Sequence, residues 1–279
     1  MTTAMIELDV YTAKGRDLPN GGIFSPTTST LVMGPREAVL VDTAYMKEDV
    51  ARIARRIERS GRHLTTIYIT HGHADHYFGI EWLLKRFPDA RAVALPSVVA
   101  DIEKTHAASS KQWHDYFGDD TMQTTVFPEP LGSEALTVDG AELLPIDVGQ
   151  ADIDPNTILH MPAIDAVIAG DVIYNGINPF LAASGASEWP LWIESVDKVA
   201  ALKPRIVVAG HKRADLPDND IEASVGATRA YISDFIAGVE KCTDSRELVA
   251  RMQQRYPDYG NPSALILSAV LAIKGKKSK

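Results

Sequence analysis

An α/β fold is what this sequence predicts, and three observations carry the prediction. Helical and strand periodicities alternate along the chain. Short runs rich in Val and Ile stop abruptly at polar loops. One of those loops, Thr70-His71-Gly72-His73-Ala74-Asp75-His76, holds three of the eight histidines.

Composition narrows the class before any motif is weighed. The 279 residues are 45% hydrophobic and 23% charged, an ordinary globular mixture. No Ser/Gly-rich or Pro-rich stretch separates two halves, so one domain over residues 1–279 is expected, with a helical extension from about residue 215. A net charge of −9 argues against a nucleic-acid partner, because phosphate backbones need clustered Lys and Arg. The basic run Lys274-Gly275-Lys276-Lys277-Ser278-Lys279 reads as a solvated tail. A single cysteine, Cys242, excludes an intrachain disulfide and a Cys-based metal cluster. Residues 1–10 lack the basic start and apolar core of a signal peptide, and no apolar run is long enough for a bilayer. The expectation is a soluble cytoplasmic protein without a membrane partner.

Residues 6–11 alternate as a half-buried strand does, and 31–33 and 38–41 read as further strands. Between them Pro19-Asn20-Gly21-Gly22-Ile23-Phe24-Ser25-Pro26 is turn-rich yet carries two large apolar side chains, which could pack on the core or overhang a pocket. Val50, Ile53, Ala54 and Ile57 recur at helical spacing over 47–60, and Gly61 stops that helix. The β-branched run Thr66-Ile67-Tyr68-Ile69 is a strand that delivers the histidine loop. A helix over 80–87 ends before Pro88, a strand covers 90–95, and a helix with much exposed surface runs over 97–117. His106 and His114 on that last helix lack local ligand spacing and read as surface or structural. After a connection over 118–130, strands are expected at 135–148, 157–161 and 163–169. Turn signals stand at Asp139-Gly140 and Asp154-Pro155-Asn156. An amphipathic helix over 189–202 and a buried strand over 205–209 follow, and residues 220–274 read as two or three helices.

Three strands therefore end in residues suited to metal work: 66–69 in the histidine loop, 163–169 in Gly170-Asp171, and 205–209 in Gly210-His211. Neutral imidazoles and carboxylates are the donors zinc prefers, and a rigid strand end can aim several at one point. His71-Gly72-His73-Ala74-Asp75-His76, followed by Gly170-Asp171 and Gly210-His211, resembles the metallo-β-lactamase-fold hydrolase superfamily in motif and in order. The resemblance implies a four-layer αβ/βα sandwich with metals at one edge of two sheets. It implies one metal on His71 and His73, a second on Asp75, His76 and His211, and Asp171 bridging both. The cofactor would be Zn2+, one or two ions, with Mn2+ or Fe2+ as alternatives. Two cations at such a site lower a water's pKa towards neutrality, and Asp75 could carry the proton to the leaving group.

One departure from the family concerns the first metal, which normally takes a third histidine from a Gly-His pair. Here that pair is Gly149-Gln150. Either Gln150 binds through its amide oxygen, or Asp152 substitutes, or one metal does most of the work. His160 sits within a strand and reads as a core residue. Asp42, at the end of strand 38–41, is either a support for the histidine loop or a simple turn cap.

The oxygen-reducing iron branch of the superfamily usually has Glu where His73 stands, so the resemblance leans to hydrolases. Tyr174, three residues after Asp171, resembles the N-acyl-homoserine lactonase branch, in which that phenol hydrogen-bonds the substrate carbonyl. It could equally pack over the loop. Ile23, Phe24, Phe180, Trp189 and Trp192 are candidates for an apolar pocket wall around a small-molecule substrate, although Trp189 and Trp192 could both be core. The first expectation is an enzyme that hydrolyses a lactone or related cyclic ester or amide. The alternatives are a thioesterase of the glyoxalase II kind and a catalytically weakened, ligand-binding member of the fold.

Overall fold

The computed structural model describes residues 6–19 and 21–277. Three stretches weighed above lie wholly or partly outside the described residues: 1–5 of the N-terminus, Asn20 of the turn-rich loop, and Ser278-Lys279 of the basic tail. Strand β1 (Glu7–Thr12) is followed by a small ribbon of β2 (Arg16–Asp17) and β3 (Ile23–Phe24), then by β4 (Thr28–Met33) and β5 (Glu37–Val41). Next come α1 (Lys47–Ser60), β6 (His63–Tyr68), α2 (Ala74–Tyr77), α3 (Ile80–Arg86), β7 (Arg91–Ala94), α4 (Pro96–Phe117) and β8 (Glu129–Pro130). The second half contributes β9 (Leu136–Val138), β10 (Ala141–Gly149), β11 (Asn156–Met161), β12 (Ala166–Ile168) and β13 (Tyr174–Asn175). It continues through α5 (Trp189–Ala201), β14 (Ile206–Val208), β15 (His211–Lys212), α6 (Ala227–Lys241), α7 (Ser245–Arg255) and α8 (Pro262–Lys277).

Two mixed sheets result. One is six-stranded in the order β1-β4-β5-β6-β7-β8, the other five-stranded in the order β14-β12-β11-β10-β9. Because side chains alternate along a strand, each sheet sends one set of residues towards the other sheet and one towards helices. In β5, Val39 and Val41 join a cluster between the sheets, whereas Ala38 and Leu40 pack with the apolar stripe of α1. In the second sheet, Ile168 and Val208 face inward with Val41, while Val167 and Val207 pack with Trp192, Phe235 and Leu265 of the later helices. Helix, sheet, sheet, helix is the expected four-layer sandwich. Burial on both faces explains why these strands read as continuous Val/Ile runs rather than polar-apolar alternation. Gly61 closes α1 in the left-handed conformation, at φ 65°, with its N–H bonded to Glu58 O.

The strand expected over 163–169 is shorter. Residues 162–164 form a 3-10 turn, and Asp165 turns the chain at φ 50°, so only Ala166–Ile168 pairs. Among the described residues no helix is long and apolar enough to cross a membrane.

Candidate metal centre

The topology puts the key strand ends on one edge. β12 runs parallel to β14, and β5 parallel to β6, so Asp171, His211, Asp42 and the histidine loop all leave their sheets at C-terminal ends. β11 is antiparallel to both β10 and β12, so the turn from Gly149 to Asn156 reaches the same edge. There the sheets are tied together. Thr157 N and Oγ1 both donate to Thr70 O, at 3.1 and 2.6 Å, and Tyr68 Oη lies 2.8 Å from Thr157 Oγ1.

Seven side chains converge in two groups, His71-His73-Asp152-Asp171 and Asp75-His76-His211, with donor atoms in each within 4.8 Å of one another. All but His73 are buried. Asp171 stands between the groups: one oxygen is 3.8 Å from His71 Nε2 and 3.1 Å from His211 Nε2, and the other is 3.2 Å from His76 Nε2. Asp75 Oδ2 lies 3.5 Å from both His76 Nε2 and His211 Nε2, and Thr27 Oγ1 donates to it at 3.0 Å. Gly210 makes this crowding possible, since a Cβ there would sit 2.2 Å from Asp171 Oδ1.

Each of three imidazoles is oriented through its other nitrogen. His76 Nδ1 pairs with Asp42 Oδ2 at 2.8 Å, His71 Nδ1 with Thr70 Oγ1 at 2.9 Å, and His211 Nδ1 with Pro26 O at 2.8 Å. A carbonyl oxygen only accepts, so His211 Nδ1 carries the hydrogen, and in the neutral ring Nε2 presents a lone pair to Asp171. Asp42 also accepts from Thr70 N and Oγ1, both at 2.9 Å, which makes it a brace for the histidine loop.

These residues fit a bound cation. His71 Nε2, His76 Nε2, Asp152 Oδ2 and Asp171 Oδ1 are buried without hydrogen-bond partners. Buried polar atoms are costly unless satisfied, and four orphans in one cluster point to a shared partner. His73 Nδ1 and Asp152 Oδ2 are 2.8 Å apart, yet the oxygen makes no hydrogen bond; both lone pairs face a common point. The electrostatics agree. Burial opposes charge on His73, but Asp152 outweighs it and lifts the imidazole to about 9. Burial likewise opposes charge on His76 and His211, and the surrounding carboxylates, Asp75 and Asp171 foremost, raise both. Burial would raise Asp171, but His211, His76 and His71 hold it well below the usual carboxylate range. Burial lowers His71 far below an ordinary imidazole. The centre thus holds protons where a metal would supply positive charge.

Gln150 does not join the donors. Its amide Nε2 donates to Ala151 O at 2.9 Å, and Asp152 occupies the place in the first group. Tyr174 is buried, donates to Asp171 Oδ2 at 3.0 Å, and stacks on His211 with ring centroids 5.2 Å apart. His160 is half-buried in β11, outside both groups; His106 bonds Tyr77 Oη, and His114 is exposed.

A cavity of about 1280 Å³ opens over this centre, and Ile23, Phe24, Gln150, Tyr174 and Phe180 line it. Trp189 does not. It is 3% exposed, donates from Nε1 to Leu181 O and packs edge-on to Phe235, so the pocket role expected for it is replaced by a core role. Trp192 is likewise core, with Nε1 donating to Val172 O. The sequence reading missed two walls. α4 supplies Asp101, Gln112, Trp113 and Tyr116, and α8 supplies Ile266, Leu267 and Val270. Their one sequence signal is apolar residues on both faces of α8, which binary patterning alone does not assign to a cavity. None of the described lining residues is Lys or Arg.

The sequence model of the metallo-beta-lactamase superfamily matches residues 22–211. Among curated protein sequences none matches significantly. Several solved structures share the fold. A metallo-beta-lactamase family protein from Thermus thermophilus superposes with a TM-score of 0.63 at 20% identity, covering 93% of this chain and 92% of that one. The DIM-1 metallo-beta-lactamase, in a crystal exposed to ceftazidime, gives 0.61 at 18% identity, with 82% and 96% covered. A metallo-beta-lactamase from Pontibacter korlensis gives 0.58 at 15% identity, with 82% and 99% covered.

Proposed function

This chain belongs to the metallo-β-lactamase superfamily, and we propose that it is a metal-dependent hydrolase opening an uncharged lactone or related cyclic ester or amide. The observation that carries the reading is the pair of donor groups sharing Asp171 on the floor of a cavity. His71, His73, Asp152 and Asp171 would hold one ion, and Asp75, His76, His211 and Asp171 a second. Imidazole and carboxylate donors suit Zn2+, and the two carboxylates of the first group also suit Mn2+ or Fe2+. Ions held there supply Lewis acidity and a water acidified towards neutral pH.

The chain's own groups divide the remaining work. Asp75, held by Thr27, is placed to take a proton from the attacking water and pass it to the departing ring oxygen. Water's oxygen joins the carbonyl carbon, the ring C–O bond breaks, and the product is a hydroxy acid. Burial and Asp171 push the Tyr174 phenol well above its usual range, so it stays protonated and able to donate to a developing oxyanion. Walls without Lys or Arg, but with Asp101, Asp154 and Glu188, favour neutral substrates. The same feature weighs against a glutathione thioester, whose carboxylates would need cationic partners.

The test is metal analysis after reconstitution with Zn2+, Mn2+ or Fe2+, coupled to a hydrolysis screen of lactones, cyclic amides and thioesters. At least one equivalent of metal and lactone turnover are expected, and Asp75→Ala or His76→Ala should abolish turnover with the circular dichroism unchanged. Less than one equivalent bound, with no substrate of any class hydrolysed, would leave a ligand-binding member of the fold as the better description.

A further inference from the structure

The cavity exceeds the roughly 300–1,000 Å³ of ordinary small-molecule sites, and its two ends differ in chemistry. One end holds the histidines and aspartates. The other is formed by Ile23, by Trp113 and Tyr116 of α4, and by Ile266, Leu267 and Val270 of α8. The last three are 49%, 45% and 45% exposed and sit on one helix face. The opposite face of α8 is spent on the core through Leu265, Ala269 and Ile273. A helix apolar on both sides is expected to be covered on both, and here the uncovered side opens into the same cavity as the candidate metal centre. The start of α8 is also fastened to the loop that carries Ile23. Ile23 N donates to Ser263 Oγ at 3.0 Å, and Asn261 Nδ2 donates to Ser25 Oγ. Loop and helix therefore form one continuous wall facing α4.

We infer that the cleft between α4 and α8 receives a straight, uncharged apolar tail of the substrate while the carbonyl lies over His73, Asp75 and Asp171. The inference rests on the carbonyl-hydrolase reading above and narrows it to tailed substrates. No Lys or Arg lines the cavity to meet a tail ending in an anion, so the tail ends in a methyl group. Continuity with the donor end favours this occupant over a second copy of the chain.

Two measurements test it separately from the reaction. In the first, the zinc-loaded protein is given γ-lactones whose straight 4-alkyl chains lengthen from methyl to octyl. kcat/KM should climb about two- to fourfold per buried methylene, from the transfer free energy of a CH2 group. In the Leu267→Ser/Val270→Ser double variant, the ratio of long-chain to short-chain kcat/KM should fall at least tenfold. Both side chains are half-exposed, so the fold should tolerate the change. In the second, metal-free protein is titrated with n-alkanamides while Trp113 fluorescence is followed, with Trp113→Phe as control. Affinity should rise with chain length in the same proportion, and the rise should be lost in the double variant.

If no lactone is turned over, the hydrolase reading fails and the alkanamide titration alone decides the tail cleft. A flat chain-length series in both measurements overturns the proposal. So does a dependence that survives in the double variant. A double variant that changes only the molar mass in light scattering assigns the face to a second copy and also overturns it.

Discussion

Within the centre, a single position separates this chain from the family pattern. Where a histidine is usual, Gln150 turns its amide to Ala151 O, and the donor comes two residues later from Asp152. Replacing a neutral imidazole by a carboxylate makes the first group harder and more negative. Asp152→Asn is therefore expected to lower metal stoichiometry by about one equivalent, whereas Gln150→Ala should leave it intact; metal analysis after dialysis reads both. A stoichiometry lost in Gln150→Ala and retained in Asp152→Asn would reverse the assignment. The ligand types were legible in the sequence because His71 to His76 lie in one loop, and Asp171 and His211 each follow a Gly at a strand end. The choice between Gln150 and Asp152 was not. Both lie in the same turn, and only the backbone path, with Gly149 at φ 83° and Asp152 Oδ1 accepting from Ile153 N and Asn156 Nδ2, decides which side chain points inward.

At the level of elements, strands and their ends were readable, and helix faces were less so. Trp189 and Trp192 stand three apart on α5, and both turn into the core against the second sheet. Amphipathic periodicity shows that one face is apolar but not whether it meets a sheet or a cavity. Trp189→Ala should then cost about 3–5 kcal/mol of stability, as large-to-small core changes do. Denaturant unfolding reads this, and a variant of undiminished stability with an altered KM would put Trp189 back on the pocket wall. α4 shows the converse. Its charged residues suggested a solvated helix, yet Trp113 packs edge-on to Phe24 and Tyr45, at 5.0 and 4.7 Å between centroids, and walls the cavity. Those partners come from two distant segments of the chain, so no local pattern announces them.

Across the whole molecule, the centre joins the two halves of the sandwich. His71, His73, Asp75 and His76 leave the first sheet, whereas Asp152, Asp171 and His211 leave the second. Metal binding should thus stabilise both halves together, and a chelator should lower Tm in one cooperative transition. Two separate transitions on chelation would contradict this. The effect should depend on pH in a definite sense. His73 is raised to about 9, so its proton stabilises the metal-free fold fully below about 6.5, and that contribution is lost as pH rises through 9. His76 and His211 are shifted in the same direction. The metal must displace these protons, so its affinity rises with pH over that window, by about tenfold per unit for each proton released. The gain in Tm on adding Zn2+ should therefore widen between about pH 6.5 and pH 9; a constant gain would show that no raised imidazole is displaced. A last consequence follows from where α8 lies in the chain. Every converging donor stands at or before His211, while the helix that forms one wall of the cavity begins at Pro262. What is done to a substrate and which substrate is admitted are thus inherited in separate stretches of the gene. The later stretch can drift or be exchanged, giving descendants with new diets and unchanged chemistry.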